Sequence, residues 1–242
     1  MGERHFAPAV RISGQPVTSH PNSAVGLRLA HWFGTSSPPP RAARAIRIAA
    51  NLVGAGGAAY FSHSYLTHFA QSRQPLGAVF FAQQMVVVIA YLVRRPAGYV
   101  TRRVDDWLLA FGGTFAGVLA RTSGVHPAGW VQAGLALQLI GAAIAMTSLA
   151  VLGRSFGFAA GDRGLVTHGP YAIVRHPLYS SYLLSGLGFL LQSVSLRNEL
   201  VLILGSLCNV GRALAEERLL TGNGEYAAYR RRVRRRMIPG VW

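Results

Sequence analysis

The chain has 242 residues, of which 51% are hydrophobic and only 13% charged, with a formal net charge of +16. A mean hydropathy of +0.30 and several apolar runs near the ~20 residues that cross a bilayer exclude an ordinary soluble domain. All 24 basic residues are arginine and cluster beside apolar runs, which suits anionic lipid headgroups and argues against a nucleic-acid partner.

In chain order, residues 1–40 are rich in Pro, Ser, His and Arg and predict a disordered tail. The remainder reads as an all-α polytopic transmembrane bundle. N-terminal spans fill 41–129, and a membrane core with a basic tail fills 130–242. Six spans are expected at about 45–66, 76–93, 105–120, 130–152, 178–195 and 200–215. The third is short and open to a re-entrant reading. Its Gly113 and Gly117 give the small-xxx-small spacing of close helix approach, and Asp105 and Asp106 suit its N-terminus. The lone cysteine, Cys208, lies in an apolar run, so neither a disulfide framework nor a metal-ligand spacing is present. It reads as a core residue.

Loop charge predicts sidedness. With both termini cytoplasmic, the outer loops hold one arginine each, Arg73, Arg121 and Arg197. The inner connectors hold Arg94, Arg95, Arg102 and Arg103, then Arg154, Arg163 and Arg175. That is the asymmetry of the positive-inside rule.

Two polar clusters break the apolar pattern. The connector Gly161–Leu184 gathers Asp162, Arg163, Tyr171, Arg175, His176 and Tyr179 against a helix whose first turn accepts Pro177. The end of the last span brings Asn209, Arg212, Glu216 and Glu217 together, in a chain with only eight acidic residues. Arg212 and Glu216, four apart, share a helix face. They read either as an interfacial ion pair of little energetic weight or as the wall of a polar cavity. Arg230 to Arg236 read as an electrostatic anchor for headgroups.

The pattern Leu165-Val166-Thr167-x-Gly169-Pro170-Tyr171-x3-Arg175-His176-Pro177-x-Tyr179 is followed by a hydrophobic hairpin and then Arg212-x3-Glu216-Glu217. After these come Tyr226-x2-Tyr229 and a closing basic stretch with Pro239. Residues 130–242 thereby resemble the isoprenylcysteine carboxyl methyltransferase family and its phospholipid N-methyltransferase relatives. The resemblance implies a membrane enzyme using S-adenosylmethionine. Arg163, Gly164, Leu165, Val166 and Tyr171 would wrap that cofactor, His176, Pro177, Leu178 and Tyr179 would continue the wall, and Glu216 would hold a polar part of it. Arg212 would face the acceptor. Two departures bear on the acceptor: Ser181 stands where the family usually has glycine, and Phe156 stands near a position that is polar in eukaryotic members.

The residues are consistent with methyl transfer, an in-line displacement in which a protein supplies alignment and electrostatics. A carboxylate acceptor needs no general base and can be gripped by the Arg212 guanidinium. An amine acceptor must lose a proton, for which Glu217 and His176 are the candidates. Other readings are a membrane sterol or enone reductase using NADPH and a non-enzymatic accessory protein. The reductase would be expected to show Asn-Tyr after the Arg-His-Pro turn, where this chain has Leu178-Tyr179. No obligate protein partner is indicated; membrane lipids and a lipophilic acceptor are.

Overall fold

The computed structural model describes residues 40–72, 75–97, 99–121, 127–221 and 224–240. The tail expected to be disordered, 1–40, lies outside them apart from Pro40. Each of the six apolar runs forms one helix: α1 (Pro40–Ser72), α2 (Pro75–Val93), α3 (Val104–Phe115), α4 (Ala128–Leu152), α5 (Pro177–Gln192) and α6 (Leu196–Leu220), followed by a short α7 (Gly224–Arg232). A 3-10 turn, Ala116–Leu119, prolongs α3. Proline opens α1, α2 and α5, where no N–H is needed. α6 starts four residues before the expected 200 because Ser195 caps it, accepting from the Asn198 amide.

Among the described residues, one segment is long and apolar enough to cross a bilayer by length and composition: Ala128–Ser155, 28 residues with mean hydropathy 2.1. The apolar stretch Gly77–Val93 is shorter. Several helices nevertheless present large apolar side chains outward, such as Val53 at 76%, Leu108 at 66% and Leu207 at 63% exposure. An apolar exterior of this kind calls for lipid or a partner as its solvent.

Small residues set the two tightest seams. Along α4 the buried positions Gly134, Gln138, Gly141, Ala145 and Ser148 alternate four and three apart, a stripe that lets α5 approach closely. A Cβ on Gly134 would stand 2.4 Å from the Gly188 carbonyl oxygen, and one on Gly188 would stand 2.5 Å from the Gly134 carbonyl oxygen. Ser181 belongs to this seam: its hydroxyl donates to the Leu178 carbonyl at 2.6 Å, and the backbone carbonyl of Ser181 lies 3.0 Å from where Gly141 would carry a Cβ. Its departure from glycine is thus absorbed by helix packing.

In the α3–α6 seam the expected pair is only half right. Gly112 and Gly113 face Cys208 and Asn209 at 2.6 and 2.5 Å from their would-be Cβ atoms, whereas Gly117 faces open space. Cys208 is half-buried against Gly112 rather than deep in a core.

The ends of α3 settle its course. Near its start, Asp106 accepts from Arg218 Nη2 at 2.6 Å, close to the end of α6. At its far end, Arg197 Nε donates to the Leu119 carbonyl at 2.7 Å, and the Arg121 amide donates to Asn198 at 3.1 Å, at the start of α6. The segment therefore runs the length of α6 and does not turn back on itself.

The two connectors read as inner loops dock together. β1 (Tyr99–Val100) pairs antiparallel with β2 (Gly161–Asp162), and Arg95 N donates to the Arg154 carbonyl at 2.6 Å. Both connectors thus lie at one end of the bundle, beside the polar end of α6.

Candidate active site

The connector before α5 is built from turn chemistry. Gly164 (φ +94) and Gly169 (φ +60) take left-handed conformations that side chains resist, and Asp162 accepts from the Gly164 amide at 3.1 Å. His176 precedes α5 and its carbonyl accepts from the Tyr179 and Ser180 amides at 3.1 and 3.2 Å. The imidazole makes no cap contact and reaches across to α6 instead.

There it lies between two carboxylates. Nδ1 is 3.5 Å from Glu216 Oε2, and Nε2 is 3.2 Å from Glu217 Oε1. Burial opposes a charge on this ring, but the hydrogen bonds to both glutamates outweigh it and raise the pKa of His176 above its ordinary value. The two carboxylates thereby favour the protonated form of His176.

The two glutamates differ in what else they hold. Glu217 is buried and accepts from Arg175 Nε at 2.8 Å and Arg236 Nε at 3.1 Å as well as facing His176. Burial would raise its pKa, yet these partners bring it down to about 2. A carboxylate so saturated is a poor base near neutral pH. Glu217, expected as a candidate proton acceptor, is on this geometry a structural knot. Glu216 keeps 30% of its side chain accessible. Its Oε1 accepts from the Tyr179 hydroxyl, and the Tyr179 ring stacks on His176 at 5.6 Å between centroids.

Arg212 completes the cluster. It is 8% exposed and lies 4.9 Å over the Tyr179 ring. Its Nη2 donates to the Phe158 carbonyl at 2.8 Å, and its Nη1 reaches Thr114 and Asn209 at 3.3 and 3.4 Å. All these acceptors are neutral.

The closing basic segment, whose role the residue pattern alone does not reveal, is a wall of the site. Arg175 and His176 donate backbone N–H groups to the Arg235 and Arg236 carbonyls at 3.0 and 2.8 Å. Arg175 Nη1 also donates to the Val233 and Arg234 carbonyls, both at 2.9 Å. Arginine-rich sequence signals headgroup affinity; that it would also supply backbone acceptors to a histidine had no local signature.

The remaining predicted residues spread over a wider surface. Tyr171 is buried, and its carbonyl accepts from the Tyr229 hydroxyl at 2.7 Å. Leu165 packs with Tyr226, Tyr229 and Val233 under α7. Pro177 is fully buried. Leu178 joins Tyr91, Leu149 and Phe156 in the helix core, so its side chain supports the wall from behind. Phe156 is spent in the same core, edge-on to Tyr91 at 5.0 Å. Arg163 donates to the Ala159 carbonyl at 3.4 Å, while Gly164 is exposed and Val166 half-buried.

Residues 130–223 match the family model for phospholipid methyltransferases. The match begins at α4, runs through the connector and hairpin, and includes every residue of the His176–Glu216–Glu217 cluster except Arg236. The matched region therefore coincides with the cluster. The whole chain is also similar to a solved eukaryotic intramembrane Ras methyltransferase, isoprenylcysteine carboxyl methyltransferase. Identity is 19% over 90% of this chain and 91% of that one, with a TM-score of 0.42. No curated protein sequence matches the chain.

Proposed function

We propose that the protein is a multi-pass membrane methyltransferase, dependent on S-adenosylmethionine, that methylates the carboxylate of a lipophilic acceptor of the isoprenylcysteine type. The observation carrying this is the Tyr179 ring, which joins two half-sites: its hydroxyl binds accessible Glu216 and its face carries buried Arg212.

The donor set fits the cofactor. Glu216, oriented by His176 and Tyr179, offers an accessible carboxylate to cofactor hydroxyl or amine groups. The Tyr179 and Tyr182 rings, with centroids 6.3 Å apart, offer faces to a sulfonium. Backbone of Arg163 to Val166, with Tyr171, would close the pocket. When bound, S-adenosylmethionine supplies an electrophilic methyl group. The chain's own residues orient, desolvate and neutralise. His176 keeps Glu216 in place, and Arg212 holds the acceptor carboxylate, whose ionised oxygen needs no base.

A phospholipid or amino-lipid acceptor is the second reading, favoured by the family match. It requires a neutral amine, and Glu217, tied by Arg175, Arg236 and His176, is a poor base to make one. The bundle would place its six long helices across the bilayer, with the termini, both docked connectors and the site on the cytoplasmic side.

The test is calorimetric binding of S-adenosylmethionine and S-adenosylhomocysteine to purified protein in detergent. Binding is expected for the wild type and lost in Glu216→Ala and His176→Ala. Absence of binding by a folded, monodisperse wild type would overturn the reading. A methyl-transfer assay with prenyl-thiol acids against amino-lipids then separates the two acceptors.

A further inference from the structure

Three arginines from distant parts of the chain gather near the four-residue stretch Phe156–Ala159, two of them directly and Arg94 through Tyr91. Arg94, at the end of α2, lies 5.1 Å over the Tyr91 ring, which packs edge-on against Phe156 at 5.0 Å. The guanidinium of Arg163 covers Gly157, where a Cβ would fall 2.1 Å from Nη1, and the same nitrogen donates to the Ala159 carbonyl at 3.4 Å. Arg212 donates to the Phe158 carbonyl at 2.8 Å.

The three are poorly neutralised. Arg94 has the neutral amide of Asn51 at 2.5 Å, and Arg212 has Thr114, Asn209 and Phe158. Among the described residues, none of the three lies within ion-pair distance of a carboxylate, whereas buried Arg175 has Glu217 at 2.8 Å. Arg163 Nε is buried with no hydrogen-bond partner. Burial, and then the charge of Arg94, hold the pKa of Arg163 below its ordinary value, with Glu216 and Tyr91 only partly opposing them. Collecting cations with no carboxylate in direct contact, only Glu216 beyond ion-pair distance, is costly, and a buried donor left unmatched adds to that cost. An anionic ligand relieves both, and guanidinium forks match the planar or tetrahedral oxyanions of carboxylates and phosphates.

We infer that Arg94, Arg163 and Arg212 form an oxyanion-binding site beside Tyr91 and the Phe156–Ala159 stretch, which holds the acidic headgroup of a lipid. This deepens the proposed function, on which it rests for the identity of the headgroup as acceptor. It adds Arg94 and Arg163 as specificity-determining residues for an acidic over a neutral or cationic acceptor. The same chemistry could be supplied by the carboxylate of the cofactor's methionine end, so the experiment separates the two sources.

The protein in a non-ionic detergent is titrated with dodecyl phosphate, with dodecyltrimethylammonium as the charge-reversed control, and separately with S-adenosylhomocysteine. Wild type, Arg94→Gln, Arg163→Gln and the charge-keeping Arg94→Lys and Arg163→Lys are compared. The expected result is selective binding of dodecyl phosphate by the wild type, weakened about tenfold or more in each Gln variant and less in each Lys variant. Binding of S-adenosylhomocysteine should be unchanged in Arg94→Gln. Loss of S-adenosylhomocysteine binding in the Gln variants, with dodecyl phosphate unaffected, would overturn the lipid assignment and give the site to the cofactor. No preference for dodecyl phosphate over the cationic control, or equal binding by wild type and folded Gln variants, would sink the oxyanion site. Dodecyl phosphate binding without S-adenosylhomocysteine binding by the wild type would keep the site while removing the methyltransferase reading.

Discussion

Arg212 lies with its guanidinium carbon 4.9 Å from the centroid of the Tyr179 ring. The hydroxyl of that ring donates to Glu216, so one side chain separates a buried cation from an accessible anion. Tyr179→Phe keeps the stack and removes the bond that aims Glu216. It is expected to weaken S-adenosylhomocysteine binding about tenfold, the worth of a hydrogen bond to a charged group, with little change in melting temperature. Titration calorimetry beside a thermal scan checks both.

Glu217 and Glu216 are neighbours with opposite expected phenotypes. Glu217→Ala leaves Arg175, Arg236 and His176 without their shared carboxylate, and breaking a buried ion pair in this way costs about 3–5 kcal/mol. Detergent-solubilised protein should melt much earlier and lose protease resistance around 233–237. Glu216→Gln, at a half-accessible position, should leave the melting temperature nearly intact and lose ligand binding. Equal destabilisation by both would contradict the division of labour.

The histidine between them predicts a two-sided pH dependence. The raised pKa of His176 means its contribution is complete below the ordinary value of 6.5 and is lost as pH rises through the folded value. Glu217 goes the other way: its contribution is complete above the ordinary 4.5 and is lost as pH falls toward about 2. Stability should be highest between pH 4.5 and 6.5, and His176→Gln should remove the alkaline limb and, because His176 also helps lower the Glu217 pKa, shrink the acid limb. Melting temperature against pH for the two proteins is the measurement.

Glycines in the bundle divide by what faces them. Gly188→Ala puts a methyl group 2.5 Å from a backbone carbonyl in the α4–α5 seam and should cost about 1–3 kcal/mol through overpacking. Gly117→Ala meets nothing within 4 Å and should be neutral or slightly stabilising. Thermal unfolding in one detergent ranks them.

Much of this architecture was legible in linear order, because a bilayer-length apolar run forms a helix that satisfies its own backbone. Six runs, the proline start of α5 and the polar connector were all readable this way. The residues of the site were legible as a spaced pattern, His176-Pro177-x-Tyr179 and Glu216-Glu217, but their roles were not. Glu216 and Glu217 are adjacent and chemically identical. Only the approach of Arg175 and Arg236 from elsewhere in the chain makes one a saturated knot and leaves the other accessible. Gly112 and Gly117 differ in the same way, since each has a neighbour only where α6 passes.

By itself, then, the sequence determined the helical, apolar character of the chain, the order of its elements and the residue types of its polar cluster. Local composition and periodicity control those properties. Tertiary structure alone decided that α3 runs the length of α6, that the last arginine segment walls the site, and that Arg94, Arg163 and Arg212 gather near Phe156–Ala159. Those outcomes depend on contacts between residues tens of positions apart, whose charges and shapes become neighbours only when the helices pack.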